Sequence, residues 1–188
     1  MNCHEGCQES ADQNFLDKLN RLPSVTTEEQ QNGLWFEDEV YKAASGKPRN
    51  PHPNWESGIR AVSDVIQGAQ IQVRCSRELV IGEYTLLAYG ILDALKAGTI
   101  FDVKFSNRSF GTVDLAGRYL HSPQHPEYFY LLPEARQFMY LVSDGVDLYT
   151  ETYRASLTPS FSEIADEFLQ FLLEADLMTV YKEKWEAL

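Results

Sequence analysis

The stretch "GILDALKAGTIFDVKFS", residues 90–106, sets three ionisable side chains, Asp93, Asp102 and Lys104, within two runs of otherwise apolar residues. A charge removed from water without a partner is costly, so each group needs a counter-ion, a metal ion or a chemical task. Along "IFDVKF" the two-residue period of a strand sends Phe101, Val103 and Phe105 to one face, and Asp102 with Lys104 to the other. Asp93 closes the preceding run, and a turn around Lys96 to Gly98 brings its carboxylate toward Asp102. Two neighbouring carboxylates do not both stay ionised cheaply. The remedies are a proton, a bound cation or a nearby ammonium, and all three are open here. Hard oxygen ligands suit Mg2+ or Mn2+, which keep several waters and accept phosphate oxygens, while Lys104 could orient or deprotonate a water or balance charge in a transition state. Such a set suits hydrolysis of a phosphodiester. Taken alone, Asp-x-Lys in a strand is more often a solvated surface pair; the apolar flanking runs argue against a solvated face at this position.

Several elements must hold these groups in place. A short helix around "NFLDKLNRL" precedes "TTEEQQNGLWFEDEVYKAASGK", in which Thr26 and Glu29 have capping-box spacing and Gly46 is the stop, giving a helix of about five turns. In it Leu34, Val40 and Tyr41 share one broad face, with Phe36 at its border. After the loop "PRNPHPN", Asn54 is placed to cap a helix "WESGIRAVSDVIQ" that ends at Gly68. "QIQVRCSREL" alternates like a half-exposed strand, and "EYTLLAYGIL", apolar on both faces, reads as a central one. "AGTIFDVKFS" pairs antiparallel with it. "QFMYLVSDGVDLYTETY" is a hairpin turning at Asp144-Gly145, followed by one long amphipathic helix from Ser162. This order gives an α+β (mixed α/β) fold with helices on a central sheet. Residues 1–25 form an N-terminal extension with a short helix, and 26–188 form one domain.

Composition limits the function classes. The chain has 188 residues, 44% of them hydrophobic, with ten Tyr and ten Phe, enough for a filled core. No run approaches the roughly 18 apolar residues of a membrane helix, and "MNCHEGCQES" lacks the pattern of a signal peptide, so a cytoplasmic location without membrane contact is expected. Three cysteines, Cys3, Cys7 and Cys75, make no disulfide framework. "CHEGC" lacks two further nearby ligands for a metal and is read as a loosely ordered terminus. The formal net charge of −12 is uneven: residues 1–40 carry nine acids and two bases, 41–150 eleven of each, and 151–188 eight acids and three bases. The acidity sits in the flanks, while the middle is neutral and holds Lys47, Arg49, Arg74, Arg77, Arg108 and Arg118.

A lone Asp followed after eight residues by (D/E)-x-K in the next strand resembles the PD-(D/E)XK nuclease superfamily, in particular its branch of phage recombination exonucleases, CRISPR adaptation nucleases and the nuclease domains of bacterial break-repair helicases. "GLWFE" at 33–37 resembles the first-helix motif of that branch and implies Glu37 as a metal ligand. "GILDAL" with "FDVKFS" implies Asp93, Asp102 and the Val103 carbonyl as metal ligands and Lys104 as the catalytic lysine. "QHPEY" at 124–128 resembles the branch's Q-x-x-x-Y motif and implies that Gln124 and Tyr128 line the DNA groove. Ser122 and Pro123 fit the start of a helix there, and a four-residue step puts Gln124 and Tyr128 on one face, although Pro126 weighs toward a loop. The resemblance covers roughly residues 30–155 and implies a restriction-endonuclease-like mixed sheet flanked by helices. It departs from the family pattern at Leu92, where a proline is usual. The chain also has no cysteine after Cys75, so no iron-sulfur cluster is expected.

The leading expectation is a metal-dependent deoxyribonuclease, an exonuclease of phage or bacterial recombination and repair, in which Glu37, Asp93 and Asp102 hold one or two Mg2+ (or Mn2+) and Lys104 supports the attacking water. Lys47, Arg49, Arg74, Arg77 and Arg108 would guide the strand, and Tyr128 or Trp55 would stack on bases. Expected partners are DNA and a recombination or repair protein. The alternative is a catalytically silent nuclease-fold binding module, an acidic accessory or inhibitor protein that meets a nucleic-acid-handling partner through its negative flanks. A third reading uses Trp35, Phe36, Val40, Phe168, Phe171 and Leu172 for homo-oligomer formation, against the tendency of aromatics at helical spacing to be core.

Overall fold

The structure, a computed structural model, describes residues 13–112 and 114–185. Cys3, His4 and Cys7 lie outside them. The chain divides into two compact units, residues 26–162 and residues 1–25 with 163–188. The larger unit is an α+β fold: a five-stranded mixed sheet in the order β1-β2-β3-β4-β5, flanked by helices.

In the larger unit, α2 (Glu28–Ala44) starts at a complete capping box. The box is Thr27 with Gln30, one residue later than Thr26 with Glu29: the Gln30 amide N–H donates to Thr27 Oγ1 at 3.2 Å, and the Thr27 N–H donates to Gln30 Oε1 at 2.9 Å. Packing of the helix buries Phe36 and Val40 fully and leaves Leu34 62% exposed, the reverse of the expected positions for Leu34 and Phe36. Helix α3 (Glu56–Ile66) begins after Trp55 without a side-chain cap, so Asn54 does not cap it. Its buried stripe of Ile59, Val62 and Ile66 packs with Phe36, Val40, Trp55, Ala94, Phe101, Val103 and Leu141 into one core.

Strands β1 (Gln70–Ile81) and β2 (Tyr84–Lys96) form a long antiparallel ribbon. Ala97 and Gly98, both at positive φ (50° and 76°), turn the chain into β3 (Thr99–Phe105), as a two-residue hairpin of the primed type requires. β2 pairs with β3 only from Ala94 to Lys96. It is therefore not central along its whole length: its apolar first part belongs to a two-stranded ribbon, with Leu87, Tyr89 and Ile91 exposed. β3 runs parallel to β4 (Gln137–Ser143), and β4 turns at Asp144-Gly145 into antiparallel β5 (Leu148–Arg154). The parallel pair needs a crossover, which carries α4 (Gln124–Leu131). A second core joins Leu92, Ile100, Phe138, Tyr140 and Val142 to Tyr128 and Phe129 of α4.

In the smaller unit a helix over 13–19 (α1) sets Phe15 edge-on to Phe171 at 5.5 Å. The expected long C-terminal helix is two: α5 (Phe161–Glu174) and α6 (Met178–Trp185), interrupted where Asp176 takes φ of 56°. Arg21 lies 4.8 Å over the Trp185 ring, whose indole N–H donates to the Leu19 carbonyl at 2.8 Å. Among the described residues no helix is long and apolar enough to cross a membrane.

Candidate active site at a break in the sheet

Asp93 is not at the end of its strand. It sits where β2 leaves the ladder on both sides. The β1–β2 register pairs Ile71 with Ala94 and Val73 with Leu92 but skips Gln72 and Asp93, and Gln72 has φ of 53°, uncommon for a residue with a side chain. Toward β3 the pairing stops at Ala94 with Phe101, so the next pair, Asp93 with Asp102, is unbonded. The break also exchanges the faces: Ile71 and Ala94 pack toward the α2–α3 core, Val73 and Leu92 toward the α4 core. In this gap the Asp93 carboxylate replaces the lost strand partner, and its Oδ2 accepts the Val103 N–H at 2.7 Å.

Asp102 is 2% exposed. Its Oδ1 accepts a hydrogen bond from the Gln124 side-chain amide at the first residue of α4. Its Oδ2 lies 2.8 Å from Lys104 Nζ, an ion pair without the angle of a good hydrogen bond. Glu37 approaches from α2, and one helical turn on, the buried Tyr41 hydroxyl lies beside Asp93, again without a well-directed bond. Burial raises the Asp102 carboxyl to about 6 against the pull of Lys104, and Asp93 adds to the rise. Burial, then Asp93, lifts Glu37 to about 7. Asp93 is itself raised by burial, with the Val103 N–H, Tyr41 and Lys104 holding it back. Burial disfavours the Lys104 ammonium, but Asp102, Asp93 and Glu37 outweigh that and raise it overall, so it stays protonated.

The site therefore gathers three carboxylates around one ammonium. Among the described residues no three acidic, histidine or cysteine side chains already converge on one ion position. The donor chemistry nonetheless fits a hard divalent cation: all donors are oxygens, the negative charge exceeds the positive, and a buried carboxylate oxygen of Asp102 lacks a directed hydrogen bond.

Most residues singled out from the sequence meet here. Gln124 reaches Asp102, while Tyr128, one turn further, donates to the Ile91 carbonyl at 3.0 Å and stacks on Phe138, so its ring supports β2. α4 begins at Gln124, with Pro123 and not Ser122 at the cap position and no side-chain cap, although the Gln124 N–H donates to Ser122 Oγ at 3.3 Å; Pro126 is accommodated in the first turn. α4 is seated by His125, which stacks on Tyr153 at 4.0 Å and meets the Tyr140 hydroxyl at 3.3 Å; burial lowers its pKa to about 4, so it is neutral. Arg108 is exposed in the bend after β3, outside the cluster. Trp55 is 8% exposed among Trp35, Phe36, His52 and Phe105 and is not free to stack on a base. Two arginines of the expected basic strip are engaged: Arg49 forks onto Glu56, and Arg77 donates to the Tyr130 carbonyl while covering its ring. Tyr41 was missed as a site residue, although its four-residue step from Glu37 places it on the same helix face. Glu39, 1% exposed, is the other acid buried on α2, but Lys42 Nζ and the Asn50 N–H, each at 2.8 Å, satisfy it structurally.

No protein-family model and no curated protein matches the chain. Among solved structures it is similar to SSO0001, at 17% identity over 85% of each chain with a TM-score of 0.45. It is also similar to Rai1 of Scheffersomyces stipitis, at 15% identity with a TM-score of 0.34, over 88% of this chain and 50% of that one. At these scores we rest nothing on either likeness.

Proposed function

We propose that the chain is a divalent-metal-dependent deoxyribonuclease of the PD-(D/E)XK kind, an exonuclease acting on DNA in phage or bacterial recombination and repair. The single observation that carries this reading is the ladder break at Asp93, which gathers Asp93, Asp102, Lys104 and Gln124 at one point and turns them toward Glu37. Glu37, Asp93, Asp102 and the Val103 carbonyl would hold Mg2+ or Mn2+, which when bound supplies charge for the phosphate and acidifies a water. The Asp102, Asp93 and Glu37 carboxylates raise Lys104, which would act as a cation toward the charge that develops on the phosphate. Gln124 holds the Asp102 carboxylate in one orientation by engaging Oδ1 and leaving Oδ2 to Lys104. The Asp93 bond to Val103 N–H fixes the backbone beside the Val103 carbonyl. The test is cleavage of 5′- and 3′-labelled linear single- and double-stranded DNA with Mg2+ or Mn2+. Progressive loss of one end label supports an exonuclease and gives its polarity. Intact substrates with both metals and folded protein would leave the silent binding module as the better reading; the acidic segments 1–40 and 151–188 are the feature that favours it.

A further inference from the structure

Burying a hydroxyl without a partner costs free energy, so a fold that keeps one has a use for it. Among the described residues two buried side-chain atoms lack a directed hydrogen bond, Asp102 Oδ2 and the Tyr41 hydroxyl, and both lie at the break in the β2 ladder. Buried polar groups away from the site are met within the fold. Ser63 Oγ donates to the Arg60 carbonyl at 3.0 Å, Ser143 Oγ donates to the Asp147 carbonyl at 2.8 Å, and Glu39 accepts from Lys42 and the Asn50 N–H. Asp102 Oδ2 at least has the Lys104 ammonium beside it. The Tyr41 ring packs against the core of Phe36, Val40 and Ile59, a task a phenylalanine would perform as well, so packing does not account for the hydroxyl.

The neighbours of that hydroxyl are carboxylates. Burial, then Asp93 and Glu37, hold the phenol well above its ordinary value, so it is a neutral donor with one proton to give. Asp93 can use it: the Val103 N–H engages Oδ2 at 2.7 Å, and Oδ1 accepts no directed bond among the described residues. We propose that Tyr41 is a positioning residue for the divalent cation: its hydroxyl donates to the Asp93 carboxylate and fixes it for the ion, as Gln124 fixes Asp102. The inference rests on the cation site of the nuclease reading and adds to it the group that orients Asp93. A carboxylate held by a second hydrogen bond presents its remaining lone pairs in one direction, and losing such a partner typically weakens metal binding about 10- to 100-fold. The four-residue step from Glu37 to Tyr41 places one expected cation ligand and the partner of another on a single face of α2.

The test is calorimetric titration of the full chain with Mg2+ and with Mn2+ at pH 8, wild type against Tyr41→Phe, with denaturant midpoints measured in chelator. Tyr41→Phe keeps the ring and should bind each cation about 10- to 100-fold more weakly. In chelator the same variant should unfold at the wild-type midpoint or above it, because it removes a buried hydroxyl to which the fold gives no directed bond. A hydroxyl that served only the fold would lower the midpoint and leave cation affinity alone. Equal cation affinity in the two proteins, or a lower midpoint for the variant in chelator, overturns the role of Tyr41 and leaves the cation site standing. If the wild type binds neither cation, the inference falls together with the cation site of the nuclease reading.

Discussion

At the scale of single residues, the site is defined by how each ionisable group is compensated. Lys104 faces Asp102 and is held as an ammonium, so Lys104→Ala should slow Mg2+-dependent cleavage by roughly 10^2- to 10^3-fold. DNA affinity, measured by anisotropy in Ca2+, should change little. Proton linkage gives a second expectation. Glu37 and Asp102 hold their protons more tightly in the folded chain, at about 7 and about 6, than when unfolded. In chelator their contribution to stability is fully present below about pH 4 and is lost as pH rises to about 7. His125, lowered to about 4, works in the opposite sense over much of the same window, so the informative quantity is a difference. Glu37→Gln should gain stability relative to wild type as pH rises from about 4 to about 7, measured by denaturant midpoints, and Mg2+ at pH 8 should narrow that gap by stabilising wild type more than the variant.

At the scale of elements, the break in the β2 ladder and the seat of α4 must be kept together. Gly90 lies under the Tyr128 ring, and a Cβ there would overlap it. Gly90→Ala should therefore push α4 from the sheet, cost about 1–3 kcal/mol in urea unfolding, and weaken the Gln124 grip on Asp102. Helix starts separate the observed cap from the expected ones: Thr27→Ala should cost about 1 kcal/mol, while Thr26→Ala and Asn54→Ala should cost little. Element types, their order and the antiparallel β2–β3 turn were legible in the sequence, because apolar periodicity and the Ala97-Gly98 turn are local signals. The capping residue was displaced by one because Thr26, Thr27, Glu29 and Gln30 offer two overlapping boxes, and only core packing chooses between them. The ladder break was not legible: an apolar run gives no sign of where a strand loses its neighbours, so the uncharged length of β2 looked like a central strand. Asp93, Asp102 and Lys104 could be expected to lie near one another because they are close in the chain, whereas Gln124, 22 residues from Asp102, was singled out only by the resemblance of "QHPEY" to a family motif. Tyr41 and the burial of Trp55 depend on how α2 and α3 lie against the sheet.

At the scale of the whole molecule, charge sets how DNA is approached. The central residues 41–150 are balanced, and several of the basic side chains there, Lys42, Arg49, Arg77 and Lys104 among them, are engaged within the fold. Few phosphate contacts are then available, so the logarithm of DNA affinity should fall with the logarithm of salt with a slope of magnitude below about 3, well short of a strongly basic nuclease. Fluorescence anisotropy over a salt series checks this. The flanking segments concentrate negative charge, and nothing local to the site requires it. Most direct for the central claim is the rate of nucleotide release from linear DNA with Mg2+ at pH 8, compared between wild type and Asp102→Asn, both verified as folded. Asp102→Asn keeps the shape and the Gln124 contact but removes the buried charge beside Lys104. Release by wild type and at least a hundredfold slower release by the variant is the expected result; equal rates in the two, or no release by either, would contradict the assignment of this site.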